Sequence, residues 1–219
     1  MKRIKMLGVS AVAVVALSGL MASSAMAGAI GIIKDPTGVV PVGTLITAAS
    51  TNLTTVTAAG NLECEHNVLP STLTVNSAAK DKSTSTEEKA FGNYLGIEGA
   101  CKTSAAGPAL IETKNFPWPM EFTTKGVATV KGTKKVGFTS TFLALEGPNN
   151  KCTFEASKIL STFPVGAAGS PVPVVFTTTN QVFKLNKKAP GTAPICPPEG
   201  KLSGNWTVTD ANGVITDEL

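Results

Sequence analysis

Apolar and polar residues alternate along much of the chain beyond residue 130, with the period of two that is typical of half-buried β-strands. The apolar positions that share one face of a predicted strand are Val136, Phe138 and Phe142; Cys152, Phe154 and Ala156; Val172, Val174 and Phe176; and Leu202, Gly204, Trp206 and Val208. Turn-forming clusters at 146–150, 166–171 and 210–213 separate these strands. The pattern predicts an all-β fold, either an antiparallel β-sandwich or a partly open barrel.

The segment Phe116-Pro117-Trp118-Pro119 interrupts this alternation and holds one of the two tryptophans. Prolines donate no ladder hydrogen bond, so they belong at a sheet edge or at the first residues of a strand. We therefore favour a crossover corner in which Trp118 packs over the end of the sandwich. The alternative is an exposed Trp118 that stacks on a ligand, and the solvent exposure of this side chain separates the two interpretations.

Two polar segments are predicted to form turns. Residues 80–89 contain no large apolar side chain and lie between two strand-like stretches, which is typical of a long, solvated hairpin tip. Asn212-Gly213 follows one strand pattern and precedes another, as in a tight β-hairpin. The preceding Asp210 gives this segment some likeness to a calcium loop, but the glycine position and the closing glutamate of such a loop are missing.

The first 27 residues have the three parts of a secretory signal peptide. Lys2, Arg3 and Lys5 form a basic start, an apolar run covers 6–21, and Ala25-Met26-Ala27 fits the cleavage site. The apolar run is shorter than the ~20 residues of a spanning helix, and no later segment approaches that length. We expect a secreted, extracellular protein without a membrane anchor after cleavage.

The residues after the leader, 28–219, have the length of one large β-domain or of two small ones. We favour a single β-sandwich-like domain with an N-terminal extension that runs to about residue 43. The alternative is two small β-domains divided near residues 117–119.

The four cysteines, Cys64, Cys101, Cys152 and Cys196, form an even set in a chain that is expected to be exported. None of them is in a Cys-x-x-Cys arrangement, which argues against the usual zinc and redox sites. We predict two disulfides and favour the pairs Cys64 with Cys101 and Cys152 with Cys196, because each pair closes a loop of roughly 40 residues within its own half of the chain. The other two connectivities remain possible.

The charge balance argues against nucleic acid as a partner. The chain has 19 Lys and Arg against 15 Asp and Glu, and three of the cations lie in the leader, so the remainder is close to neutral. Arg3 is the only arginine. Guanidinium is the group best suited to paired contacts with phosphates and bases, and its absence after the leader makes such recognition unexpected.

The stretch Glu63-Cys64-Glu65-His66 holds the only histidine beside two carboxylates. If 62–66 is a strand, Cys64 and His66 point to one face and the two glutamates to the other, so the groups do not converge. We therefore expect no metal, no cofactor and no catalytic residues. The carboxylate pairs Glu112/Glu121 and Glu146/Glu155 are more simply explained as solvent-facing strand charges, and the nucleophile motif of common hydrolases is missing.

Several landmarks occur in a fixed order along the chain: Asn61-Leu62-Glu63-Cys64, Cys101, Phe116-Pro117-Trp118, Cys152-Thr153-Phe154, Asn180-Gln181-Val182-Phe183, Cys196-Pro197 and Leu202-Ser203-Gly204-Asn205-Trp206. This order resembles a family of uncharacterised secreted proteins of soil actinobacteria. Its members carry a signal peptide, a Pro-Trp between two cysteine pairs, and a closing Cys-Pro followed by a Ser-Gly-x-aromatic strand. The resemblance implies export, an all-β fold and two disulfides. It implies no activity, ligand or catalytic residue.

These observations predict an exported, non-enzymatic β-domain that acts in cell-surface or extracellular interaction or in envelope structure, with a surface glycan or protein as its partner. One alternative is a carbohydrate-binding module that uses Trp118 and Tyr94, since aromatic faces stack on sugars. Another is a secreted hydrolase that uses His66 or a glutamate pair. Protease inhibition is a further alternative, with no distinctive residue behind it.

Overall fold

The computed structural model describes residues 32–77, 81–85, 89–91, 93–95, 97–104, 107–123, 126–131, 135–143, 149–167 and 169–218. The predicted signal peptide and most of the predicted turn at 146–150 lie outside these residues. Within the described part, the regular structure consists of β-strands and includes no helix. The all-β prediction is therefore confirmed.

The strands follow in chain order, and all but a few are short. They are β1 (Ile32–Asp35), β2 (Gly38–Val39), β3 (Leu45–Ser50), β4 (Leu53–Thr57), β5 (Gly60–Cys64), β6 (His66–Val75), β7 (Asp81–Ser85), β8 (Lys89–Phe91), β9 (Asn93–Tyr94), β10 (Ile97–Glu98), β11 (Ala100–Thr103), β12 (Ala109–Lys114), β13 (Trp118–Thr123), β14 (Val127–Val130), β15 (Val136–Phe142), β16 (Asn150–Ala156), β17 (Ile159–Thr162), β18 (Val172–Pro173), β19 (Val175–Leu185), β20 (Glu199–Asp210), β21 (Gly213–Val214) and β22 (Thr216–Glu218).

The long strands close into an antiparallel barrel that has two halves. In what we name the capped half, the ring of paired strands runs β3, β6, β7, β13, β14, β17, β19, β20 and back to β3. In what we name the open half, the ring runs β4, β5, β11, β12, β15, β16, β19, β20 and back to β4. Of the two architectures expected from the sequence, the barrel is the one that forms, and its ring of strands is complete.

The two halves are continuous, because β19 and β20 run through both and the other strands pass from one half to the other at short breaks. Examples are the two residues between β3 and β4 and the single bend at Glu65 between β5 and β6. In β19, the passage from one half to the other coincides with an irregularity in the pairing with β20, between Thr178 and Gln181. Each ring combines strands that precede residues 117–119 with strands that follow them, so neither side of that segment closes a ring by itself.

The predicted disulfides are both present: Cys64 bonds to Cys101, and Cys152 bonds to Cys196. The first joins the neighbouring strands β5 and β11, and the second joins β16 to the loop that precedes β20. Both therefore brace the open half of the barrel. The predicted pairing is confirmed, and its presence is consistent with an extracellular protein.

A small four-stranded sheet, in the order β18, β22, β1, β2, covers the end of the capped half. Ile33 of this sheet and three residues next to its strands, Val40, Val174 and Ile215, belong to the main core of the barrel. Asn76, which directly follows β6, holds the sheet in place, because its Nδ2 donates to the carbonyl oxygens of Ile33 and Val40 at 2.8 Å each. The N-terminal extension expected up to about residue 43 thus supplies part of this cap.

The prediction of a solvated hairpin tip at 80–89 is wrong for the residues that the structure describes there. Residues 81–85 form β7, which pairs with β6 and β13 in the barrel wall. Its inward side chains, Asp81, Ser83 and Ser85, are buried although they are polar. These inward side chains alternate regularly with the outward Lys82 and Thr84, as in other strands. Because both faces are polar, the hydrophobic pattern does not mark β7 as a strand.

Asp81 is an ionisable side chain in the barrel interior, with only 1% of its surface exposed. Burial raises the pKa of Asp81 to about 7, the Ser77 backbone N–H that donates to its Oδ1 lowers it, and the Asp217 carboxylate of the cap raises it further. Below about pH 7 the side chain is therefore neutral in the folded protein.

We predict that stability falls as the pH rises from about 4 to about 7, because the folded pKa lies above the ordinary value of 3.8. From this group alone the slope approaches ~1.4 kcal/mol per pH unit at most. Urea denaturation at several pH values measures it. Asp81→Asn keeps an acceptor for the Ser77 N–H and removes the charge, so this variant should lose less stability over the same range. An equal loss in both proteins would contradict the assignment to Asp81.

Candidate ligand-binding cavity

Trp118 is the first residue of β13 and is buried, with 4% of its surface exposed. Its Nε1 donates to the carbonyl oxygen of Lys114 at 3.0 Å, and its ring stacks on Phe116 with centroids 4.3 Å apart. The chain turns at Asn115, which has a φ of 68°, and the Phe116–Pro117 peptide is cis. Trp118 thus forms a packed corner, as favoured from the sequence. The corner lies between the two halves of the barrel instead of over an end, and it offers no outer platform for a ligand.

Tyr94, the other aromatic residue proposed to bind a ligand, lies in β9 and is half-buried. This short strand belongs to the segment between β7 and β11, outside both rings. Trp118 faces the interior of the barrel, whereas Tyr94 does not line the cavities described below. The structure therefore does not assemble these two residues into one binding surface.

His66 and its neighbouring carboxylates do not form a reactive site. The strand that contains Cys64 ends at the bend at Glu65, and a new strand begins at His66, so the alternation restarts. As a result Asn67 faces inward and His66 is exposed, and the expectation that Cys64 and His66 share a face is wrong. Within the described ranges, no three side chains of the metal-binding types come together.

The carboxylates considered for catalysis lie on the barrel wall beside lysines. Glu112 pairs with Lys114, and the Glu121 carboxylate lies 3.5 Å from the Lys82 ammonium. Such ion pairs are ordinary on an exposed surface and contribute little to stability. Glu155 is paired with Lys135 at 3.1 Å, while Glu146 lies outside the described residues.

The segment 210–213 forms the predicted hairpin, with Asp210 opposite Gly213. The Oδ1 of Asp210 accepts the backbone N–H groups of Asn212 and Gly213. Asn212 also donates to the Asp35 carboxylate at 2.7 Å. The pKa of Asp35 is lowered to about 2, and this hydrogen bond makes the largest contribution to that shift. The hairpin is thereby fixed to the cap.

The interior of the barrel contains two adjoining cavities that the sequence did not predict. The one we name the inner cavity has a volume of about 80 Å³ and lies between the two halves; its aromatic lining residues are Trp118, Phe138, Phe176, Phe183 and Trp206. The one we name the mouth cavity has a volume of about 270 Å³ and lies in the open half; its lining includes Thr57, Asn61, Phe142, Leu143, Ile195 and Pro197.

The two cavities adjoin, because Thr55, Leu62 and Phe138 line both of them. The mouth cavity reaches the surface, since its lining includes Ile195, of which 68% is exposed. Every described residue that lines either cavity is uncharged. The site therefore suits apolar, neutral groups, because a buried charge without a partner carries a large desolvation penalty.

The cavities arise where small side chains face inward on opposing strands. Ala48 and Ala128 line the inner cavity, and Ser140 and Gly60 line the mouth cavity. The alternation pattern identifies such residues as inward-facing, and their size is visible in the sequence. Which of them oppose one another depends on the strand order, which local patterns do not encode.

We predict that Trp118 behaves as a shielded indole in solution. In a Trp206→Phe variant the remaining tryptophan should emit at the short wavelengths of an apolar environment and should be quenched only weakly by iodide, because the ring is buried. The matched Trp118→Phe variant reports the half-buried Trp206 and should be quenched more strongly. Quenching of Trp118 as efficient as that of free tryptophan would contradict its placement.

Comparison with known proteins finds no matching family model, no matching curated protein and no matching solved structure. The resemblance to secreted actinobacterial proteins therefore stays a prediction. In the part of the chain that the structure describes, no helix has the length and apolar character needed to cross a membrane.

Proposed function

We propose that this chain is an exported, non-enzymatic binding protein that holds a small apolar molecule inside its barrel. The observation that carries the proposal is the pair of adjoining, uncharged cavities, which open at one end of the barrel while a separate sheet covers the other end. An opening at one end allows entry, and the apolar wall supplies the binding free energy.

The volumes support a small ligand. Barrels of about eight strands have interiors that are either filled by side chains or hold one small molecule. A dry apolar cavity of ~150 Å³ is large enough for benzene. The mouth cavity, at about 270 Å³, exceeds that size, whereas the inner cavity, at about 80 Å³, does not. We infer that a ligand occupies the mouth cavity and extends past Phe138 into the inner one.

Export is supported by the two disulfides, which persist in oxidising compartments, and by the leader-like first 27 residues. The resemblance to a secreted family agrees with release outside the cell. The sequence predicted a non-enzymatic extracellular β-domain with a surface glycan or protein as its partner. The ligand proposed here is instead a small apolar compound. Carbohydrate binding through Trp118 loses its support, since the ring is buried.

The proposal predicts that a neutral apolar fluorophore, N-phenyl-1-naphthylamine, binds the protein with a stoichiometry of one and a rise in emission. Ser140 faces the mouth cavity, so Ser140→Leu should occupy part of that volume and weaken binding by about tenfold or more. Thr141→Leu is the matched control, because it makes the same kind of change at the next position of β15, on the opposite face of the strand.

Circular dichroism and thermal melting establish that both variants are folded before the titrations are compared. Equal affinity in the Ser140→Leu and Thr141→Leu variants would place the fluorophore outside the barrel. No binding by the wild type would remove the proposed function.

A further inference from the structure

Asn67 is a polar side chain that faces the inner cavity with one of its hydrogen-bonding atoms unpaired. The residue lies in β6 with 1% of its surface exposed. Its Nδ2 donates to the carbonyl oxygen of Cys64 at 3.3 Å. Its Oδ1 is buried and has no hydrogen-bond partner among the described residues.

The orientation of the amide follows from these contacts. Because the Cys64 carbonyl can only accept, the nitrogen must point toward it, and the oxygen is left as an acceptor. Buried polar atoms in folded proteins nearly always have a partner, so an orphaned acceptor in the wall of a cavity calls for a donor from the molecule that fills it.

The rest of the lining restricts the charge of that molecule. Neither cavity has a lysine or another cationic side chain in its described wall. An ionised carboxylate or phosphate would lose its water there without gaining a counter-ion, which makes fatty acids and phosphorylated compounds poor candidates. A hydroxyl group needs no counter-ion and can donate to an amide oxygen.

We propose that the ligand is an uncharged hydroxyl compound, an alcohol or a phenol, whose O–H donates to Asn67 Oδ1 while its apolar body fills the inner and mouth cavities. This inference rests on the proposed function and specifies its ligand class. Discrimination follows from the unpaired acceptor: an analogue without the hydroxyl leaves Asn67 Oδ1 unsatisfied, and sites of this kind reject such analogues strongly.

Ser71 provides an internal comparison. It lies on the same inward face of β6, four residues nearer the cap, and its Oγ is also buried without a partner in the described structure. Unlike Asn67, it lines neither cavity. Removing its hydroxyl should therefore leave ligand selection unchanged.

The test is a calorimetric titration with three compounds of matched shape, 2-naphthol, naphthalene and 2-naphthoate, at neutral pH. The wild type should bind 2-naphthol at least about tenfold more tightly than either of the other two. Asn67→Leu should bind 2-naphthol and naphthalene equally, and Ser71→Ala should keep the wild-type preference. The side-chain amide resonances of Asn67 should shift on addition of 2-naphthol and stay in place with naphthalene, a result that does not depend on the variant's folding.

Equal binding of 2-naphthol and naphthalene by the wild type would overturn the inference and leave an ordered water as the partner of Asn67, while the proposed apolar site would stand. Tighter binding of 2-naphthoate would also overturn it, because it would require a cation in the site. If none of the three compounds binds but N-phenyl-1-naphthylamine does, the inference is overturned and the proposed function stands. If that fluorophore does not bind either, both are overturned.

Discussion

The closure of the strand ring is the constraint on which the rest of the structure depends. The last long strand, β20, pairs with β3 and β4, near the start of the described chain, with Thr207 opposite Ala49 and Gly200 opposite Thr57. Closure gives the wall strands neighbours on both sides, so their backbone groups are satisfied and no long edge is left open. It also fixes which inward side chains face one another, and hence where the interior is full and where it is empty.

The two ends of the barrel are secured by different means. Both disulfides lie in the open half, and Cys64 and Cys152 themselves line the cavities. The capped half is held by apolar packing of the small sheet and by polar contacts such as those of Asn76 and Asp81. Covalent bracing where the barrel is hollow compensates for the missing packing there.

The sequence predicted those features that local patterns determine. Alternation identified the inward faces of β15, β16 and β20, the even cysteine set predicted two disulfides whose pairing the loop lengths favoured, and Asn212-Gly213 marked its hairpin. Three features depended on distant parts of the chain and were missed. The polar β7 is buried because it pairs with β6 and β13 in the barrel wall, the bend at Glu65 turns His66 outward and Asn67 inward, and the cavities exist only once the ring has closed. Trp118 combines both kinds of feature. The neighbouring prolines favoured its burial, but its position inside the barrel depends on the strand order and was not predicted.

The central claim is that the interior of the barrel is the ligand site, and methyl NMR tests it most directly. Leu62 and Ile111 line the cavities, whereas Val56 and Leu160 are exposed on strands of the same barrel. On titration with a neutral apolar ligand, the methyl resonances of the two interior residues should shift in a saturable way while those of the two outer residues stay in place. Shifts confined to Val56 and Leu160, with Leu62 and Ile111 unchanged, would contradict the account.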